Sequence, residues 1–195
     1  MTAVDFDDVE IMRRVQAGQV ALFDVLVRRY RGPLLNVAWS KLGDASWAED
    51  AVQDTLLAAF AARETYNPQF AFRTWVWTIL LNVCRRQWQR RESRPREYSL
   101  SSAPPADVTG FSEPLTHDTA LAQAVRTEQR EEVHRLLARL PEAQGDAIRL
   151  RFFGGLQFSE IADAMDSSLS AAKQRVKQGL AELARQLRDH EGDFQ

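Results

Sequence analysis

The sequence predicts an all-α protein: two small helical domains, four helices in each, joined by a flexible linker. Apolar residues recur at helical spacing along the chain, and no stretch alternates with the period of two that a strand requires. Prolines and glycines fall where helices would stop. Between residues 92 and 119, Pro95, Pro104, Pro105, Pro114 and several serines interrupt any period. Structureless loops above about 12–15 residues are uncommon inside a compact domain, so this stretch reads as a join. The expected division is a first domain over 1–91, a linker over 92–119 and a second domain over 120–195.

The first domain opens with a helix over Asp7–Ala17, ended near Gly18. The next helix, Val20–Leu42, carries Leu22, Phe23, Leu26, Tyr30, Leu34 and Ala38 at helical spacing, with a kink or local break expected at Pro33. Gly43 and Asp44 separate it from a third helix, Ala45–Arg63, and the loop ETYNPQ (Glu64–Gln69) leads to a fourth over Phe70–Arg91. In the second domain a helix ends at Leu140, and Pro141 suits the first turn of the next. That helix runs to Phe153, where Gly154 and Gly155 stop it. FSEIADAM, with Ser159 as cap, is then followed by a short turn and a last helix over Ser168–Leu187. Leu169, Ala172, Val176, Leu180, Leu183 and Leu187 repeat along it at spacings of three and four, predicting a buried stripe.

Composition excludes several classes of function. With 45% hydrophobic and 27% charged residues, the chain of 195 residues is globular. A lone cysteine, Cys84, permits no internal disulfide, and His117, His134 and His190 stand too far apart in sequence to suggest a metal site. No cofactor motif is present: there is no phosphate-binding glycine loop and no arrangement that would organise a nucleophile. The acidic start, MTAVDFDDVE, has no secretory character, and no apolar run is long enough to insert in a membrane, so a cytoplasmic location is expected. The net charge of −2 hides a strong segregation. Arg85, Arg86, Arg90, Arg91, Arg94 and Arg96 cluster against Glu92 alone, whereas residues 97–119 hold four acids and no lysine or arginine.

Two helices carry candidate nucleic-acid faces. On the helix over Phe70–Arg91, Phe72, Trp75, Val76, Ile79, Leu80 and Val83 form one apolar face, and Trp77, Leu81, Cys84 and Trp88 a second. Between them runs a polar strip of Thr74, Thr78, Asn82, Arg85 and Gln89, ending in the arginine cluster. Such a strip fits either a nucleic-acid reader or the solvated edge of a central bundle helix. In the second domain, a short helix, a tight turn and a longer helix make a helix-turn-helix pattern. Opposite its leucine stripe, the longer helix presents Ala171, Gln174 and Gln178, flanked by Ser170, Arg175 and Lys177. Glutamine amides pair with adenine edges, and Arg and Lys reach guanine or phosphate. A solvated basic helix is the alternative, although from Leu169 to Arg188 Glu182 is the only acid available to pair with the bases.

Three segments carry a family resemblance: AEDAVQDTLLAAF (Ala48–Phe60), FRTWVWTILLNVCRR from Phe72, and LPEAQGDAIRLRFFGGLQFSEIADAMDSS from Leu140. In this order and spacing the chain resembles a bacterial RNA polymerase sigma factor of the extracytoplasmic-function (ECF) group, sigma-70 family. The resemblance implies a subunit that binds core RNA polymerase and directs it to promoter DNA, both duplex and melted strand. It places Asp50, Gln53 and Asp54, which also form a polar ridge at i, i+3 and i+4, on the polymerase. It places the strip with Asn82, Arg85 and Arg86 on the minus-ten element, and the Tyr66–Phe70 loop where a flipped base is captured. Either aromatic can stack on a base, and core packing is an equal alternative for Phe70. The last helix then enters the major groove at the minus-thirty-five element, and the acidic linker follows a path otherwise held by RNA. An anti-sigma factor is a further partner that the group implies.

The chain departs from the pattern in three places. Ala171-Ala172-Lys173-Gln174-Arg175-Val176 replaces the usual Thr-Val-Lys-Ser-Arg-Leu type of run, Gly179 lies inside the recognition helix, and Gly145 stands where a basic residue is common. A stand-alone helix-turn-helix regulator with an N-terminal sensing domain is the competing reading; it would bind duplex DNA alone as a dimer.

Overall fold

The computed structural model describes residues 6–92 and 120–192. Eight helices follow in order: α1 (Asp8–Gln16), α2 (Phe23–Leu42), α3 (Ala45–Ala61), α4 (Phe72–Glu92), α5 (Ala120–Ala138), α6 (Glu142–Phe152), α7 (Phe158–Ala164) and α8 (Leu169–Gly192). There are no strands among the described residues, as the absence of a two-residue period predicts. The linker beyond Glu92 lies outside the described residues, as do Arg94 and Arg96.

Local chemistry sets the helix ends. The Asp7 carboxylate accepts from Glu10 N at 2.7 Å and starts α1, and Asp44 does the same for α3 through Trp47 N at 3.0 Å. Helix α2 closes on Gly43, whose φ of 70° lies in the left-handed region that suits glycine. It runs unbroken through Pro33. Proline removes one helical hydrogen bond there, but Leu34, Leu35, Val37 and Ala38 are all buried and hold the next turn in place. Two corrections concern the second domain. Helix α7 begins at Phe158, so Ser159 lies inside its first turn. The start is instead fixed by Gln157 N donating to Glu160 Oε2 at 2.7 Å.

The leucine stripe of α8 is only partly buried. Ala172 and Val176 are enclosed and Leu183 packs against a small cluster, but Leu169, Leu180 and Leu187 are exposed. The line of contact instead runs through Gly179, because a Cβ there would come within 2.6 Å of Ile148 Cδ1. Glycine therefore permits α6 and α8 to approach closely. The remaining exposure follows from length: α8, at about 36 Å, extends well past its short partner α6.

Helices α2, α3 and α4 pack side by side, with α1 laid across α2 and α4; α6 and α7 both pack on α8. The two bundles also touch each other. Helix α4 meets α7, and α2 meets α5 and α6. One buried cluster continues from Ile11 and Leu26 through Trp77 and Leu80 to Leu150, Leu156, Ile161 and Val176. Among the described residues, no helix is long and apolar enough to cross a membrane, and no group of three His, Cys, Asp or Glu is placed to hold a metal ion.

Candidate nucleic-acid interface

Helix α4 buries Phe72, Val76, Leu80 and Val83 on one face and Trp77, Leu81 and Cys84 on the other. Burial pushes the Cys84 thiol up to about 12, so it stays protonated. The wheel drifts at the C-terminal end, where Trp88 is exposed and Gln87 is buried in its place. The Gln87 amide, oriented to satisfy both of its groups, bridges Trp47 O and Ala51 N, a partnership on α3 that the α4 sequence does not reveal. In the strip, Thr74 and Thr78 are half-buried, whereas Asn82, Arg85, Arg86 and Gln89 are exposed.

The loop before α4 separates its two aromatics. Tyr66 is 4% exposed, stacked among Phe72 and Trp75, and its hydroxyl donates to Phe70 O at 2.5 Å. Gln16 on α1 pins the same loop by donating to Arg63 O and Tyr66 O. Phe70, held on this frame, is 66% exposed. The ring presented to solvent is thus Phe70, with Tyr66 as its support.

On α3, Asp50, Gln53 and Asp54 are all exposed and form the expected ridge. The sequence reading passed over its apolar continuation. Leu57, four residues after Gln53, is 58% exposed and borders a groove of about 420 Å³ between α2 and α3, lined by Phe23, Val27, Val52 and Phe60. The signal for it was an apolar residue in register with a polar ridge.

In the helix-turn-helix, Asp166 takes a φ of 46° and Ser167 N donates to Ala162 O at 2.8 Å, closing the turn. Ser168 Oγ accepts from Ala171 N at 3.1 Å and starts α8. Ser170, Gln174, Lys177 and Gln178 are exposed, and Ala171 and Arg175 are half-buried. Acids do reach this helix after all: Arg185 pairs with Glu182 at 2.5 Å and with Asp189 at 3.0 Å. Lys173 and Lys177 make no ion pair among the described residues.

The α4 strip and the second domain face each other across a cavity of about 630 Å³. Thr78, Asn82 and Arg85 line one side, and Glu142, Asp163, Asp166 and Arg175 the other. Thr78 Oγ1 donates to Thr74 O at 3.1 Å within its own helix and lies 3.4 Å from Ala164 O, and Arg85 Nε lies 3.4 Å from Glu142. Beside the cavity, Arg73 Nη2 donates to Gly154 O at 2.9 Å and Gly155 O at 2.8 Å. Lys41 Nζ lies 2.6 Å from Asp146 and 3.2 Å from Glu142. Burial raises the Glu142 pKa, but Lys41 and Arg85 outweigh it and hold the carboxyl below its ordinary value.

Residues 26–94 match the family described as Sigma-70 region 2, and residues 130–183 match Sigma-70, region 4. Together the two matches span more than half of the chain. It belongs to the sigma-70 family. The sigma-H factor of Pseudomonas aeruginosa is 27% identical over 87% of this chain and 88% of that protein. The ECF sigma-E factor of Escherichia coli K12 is 28% identical over the same shares, which places this sigma factor in the ECF group. Among solved structures, CnrH in complex with the cytosolic domain of CnrY has the same fold, with a TM-score of 0.72 and 23% identity over 93% of this chain and 97% of that one. A sigma factor RpoE in complex with the anti-sigma factor NepR from Bartonella quintana aligns with a TM-score of 0.61 and 22% identity, over 85% and 96%.

The structure gives a reason for one departure of this sigma factor from its family pattern. A Cβ on Gly145 would lie 2.6 Å from Arg149 Nη1. The glycine lets the Arg149 side chain fold back along α6 and reach the first domain.

Proposed function

We propose that this chain binds core RNA polymerase and directs promoter-specific initiation, the first domain reading and opening the minus-ten element and the helix-turn-helix reading the minus-thirty-five element. The observation that carries the reading is the ordered pair of matches to sigma-70 regions 2 and 4 on two helical units of one chain. The polymerase performs the chemistry, and the sigma factor supplies recognition. Asp50, Gln53 and Asp54, with Leu57 beside them, face the polymerase. Exposed Phe70 stacks on an unpaired base, while Asn82, Arg85, Arg86 and Gln89, with Thr74 and Thr78 at the covered end, contact the opening strand. Ser170, Ala171, Gln174, Lys177 and Gln178 enter the major groove, joined by Arg175 once it leaves the cavity.

The chain acts in the cytoplasm, at the nucleoid when bound to polymerase. An anti-sigma factor is a further partner; the solved structure of like fold in which RpoE is bound to the anti-sigma factor NepR supports that expectation. A stand-alone regulator is disfavoured because the region 2 match has no place in it. The test is run-off transcription with purified core polymerase on a genomic promoter library. Addition of the chain yields specific transcripts; core binding without any specific transcript sinks the reading.

A further inference from the structure

A dense polar contact joins the two domains. The C-terminal turn of α2 receives the second domain at consecutive residues. The Ser40 carbonyl accepts from Arg149 Nε at 3.0 Å and from His134 Nδ1 at 2.8 Å. Lys41, next in sequence, is bound by Asp146, and Asp146 lies 3.6 Å from Arg149 Nη1. The side chains of Lys41, Asp146 and Arg149 are 8%, 2% and 5% exposed. Cations gather there because the unpaired carbonyls of a helix C-terminus carry negative partial charge. One buried carboxylate then sits between two buried cations, an arrangement that is stable only while all three are present. Gly145 belongs to the same device, since it makes room for Arg149.

This contact closes the α4 strip. Asn82 and Arg85 face Glu142, Asp163 and Asp166, so an anionic strand entering the cavity meets carboxylates. The closed form is also too short. Elements at minus ten and minus thirty-five lie about 25 base pairs apart, roughly 85 Å of duplex at 3.4 Å per pair. A compact body of the described size has a radius of gyration near 15 Å. Residues 93–119, fully extended, reach about 90 Å, so the chain length permits the two domains to part far enough.

We infer that Lys41, Asp146 and Arg149, docked on the α2 C-terminus, form a latch that holds the free protein closed and inhibits its own DNA reading until the domains separate. The inhibitory meaning rests on the sigma-factor reading; the latch itself does not. The test uses the full chain labelled at Arg28→Cys and Ala184→Cys, both exposed positions, with pulsed electron spin resonance to measure the distance between labels. Cys84, buried beside the latch, is replaced by serine in every labelled chain so that only the two introduced cysteines react. The unaltered latch gives one narrow distance. Asp146→Asn leaves two buried cations without their anion, and Gly145→Ala displaces Arg149 while favouring the helix locally. Each is expected to raise the open fraction about tenfold and to raise affinity for a single-stranded minus-ten oligonucleotide, without core polymerase, by the same factor. If Asp146→Asn loses its helical circular dichroism, Gly145→Ala decides alone. A narrow distance retained in the folded variants, or a broad one in the parent, overturns the latch. Opening without any specific run-off transcript leaves the latch standing and overturns the functional reading instead.

Discussion

Helices α4 and α8 each bury one side and offer a polar strip on another, yet the two strips stand in different surroundings. On α8, Gln174, Lys177 and Gln178 face open solvent. On α4, Thr78 lies against Ala164 of the second domain, and Asn82 and Arg85 share a cavity with four carboxylates. The difference does not arise within the helices. It arises because α7 and the start of α6 lie over α4, whereas nothing among the described residues lies over the outer face of α8. Availability of a polar face is therefore set by how the domains dock, a level above the helix that carries it.

Three perturbations test this contrast. The largest effect is expected from Trp77→Ala. Trp77 is fully buried on the α4 face turned toward Gly154, and truncating such a ring costs about 3–5 kcal/mol. Urea denaturation reads this directly; a loss near zero would mean that the second apolar face of α4 is not core. Next, Gln174→Ala should leave thermal stability unchanged and shift holoenzyme preference at one upstream base pair by about 1–3 kcal/mol. Promoter competition measures it, and an unchanged preference combined with weakened core binding would remove α8 from its assigned role. The smallest effect concerns pH. Glu142 has a lowered pKa in the folded protein, so its contribution to closure is complete above its ordinary value of 4.5 and fades as pH falls below that. The label distance described above, followed from pH 7 to pH 4, should lengthen only at the acid end; lengthening nearer neutrality would point to a different group.

Much of the fold was legible because helical periodicity and helix punctuation are local. All eight helices lie within a few residues of where spacing, Asp44, Gly43, Pro141 and the paired glycines put them. The ridge on α3 and the outer face of α8 were equally legible, since residues three and four apart on one helix must share a side. The misses have one cause in common. Gln87 exchanged places with Trp88 because α3 supplied an amide partner; Leu180 was left outside because Gly179 took the contact with Ile148; Tyr66 became a pillar because α4 and α1 enclosed it. Each depends on a neighbour distant in sequence.

By itself, the sequence determined an all-α chain with two helical units and most of the residues on their apolar and polar faces. Backbone hydrogen bonding and side-chain spacing along one helix are enough to fix those. Only the tertiary structure decided that the units share a core, that Phe70 rather than Tyr66 meets solvent, and that Lys41, Asp146 and Arg149 meet at the end of α2. Those outcomes depend on charges and volumes contributed by other helices, from Gln16 and Tyr66, 50 positions apart, to Lys41 and Asp146, 105 apart, which meet only after the helices have formed and packed.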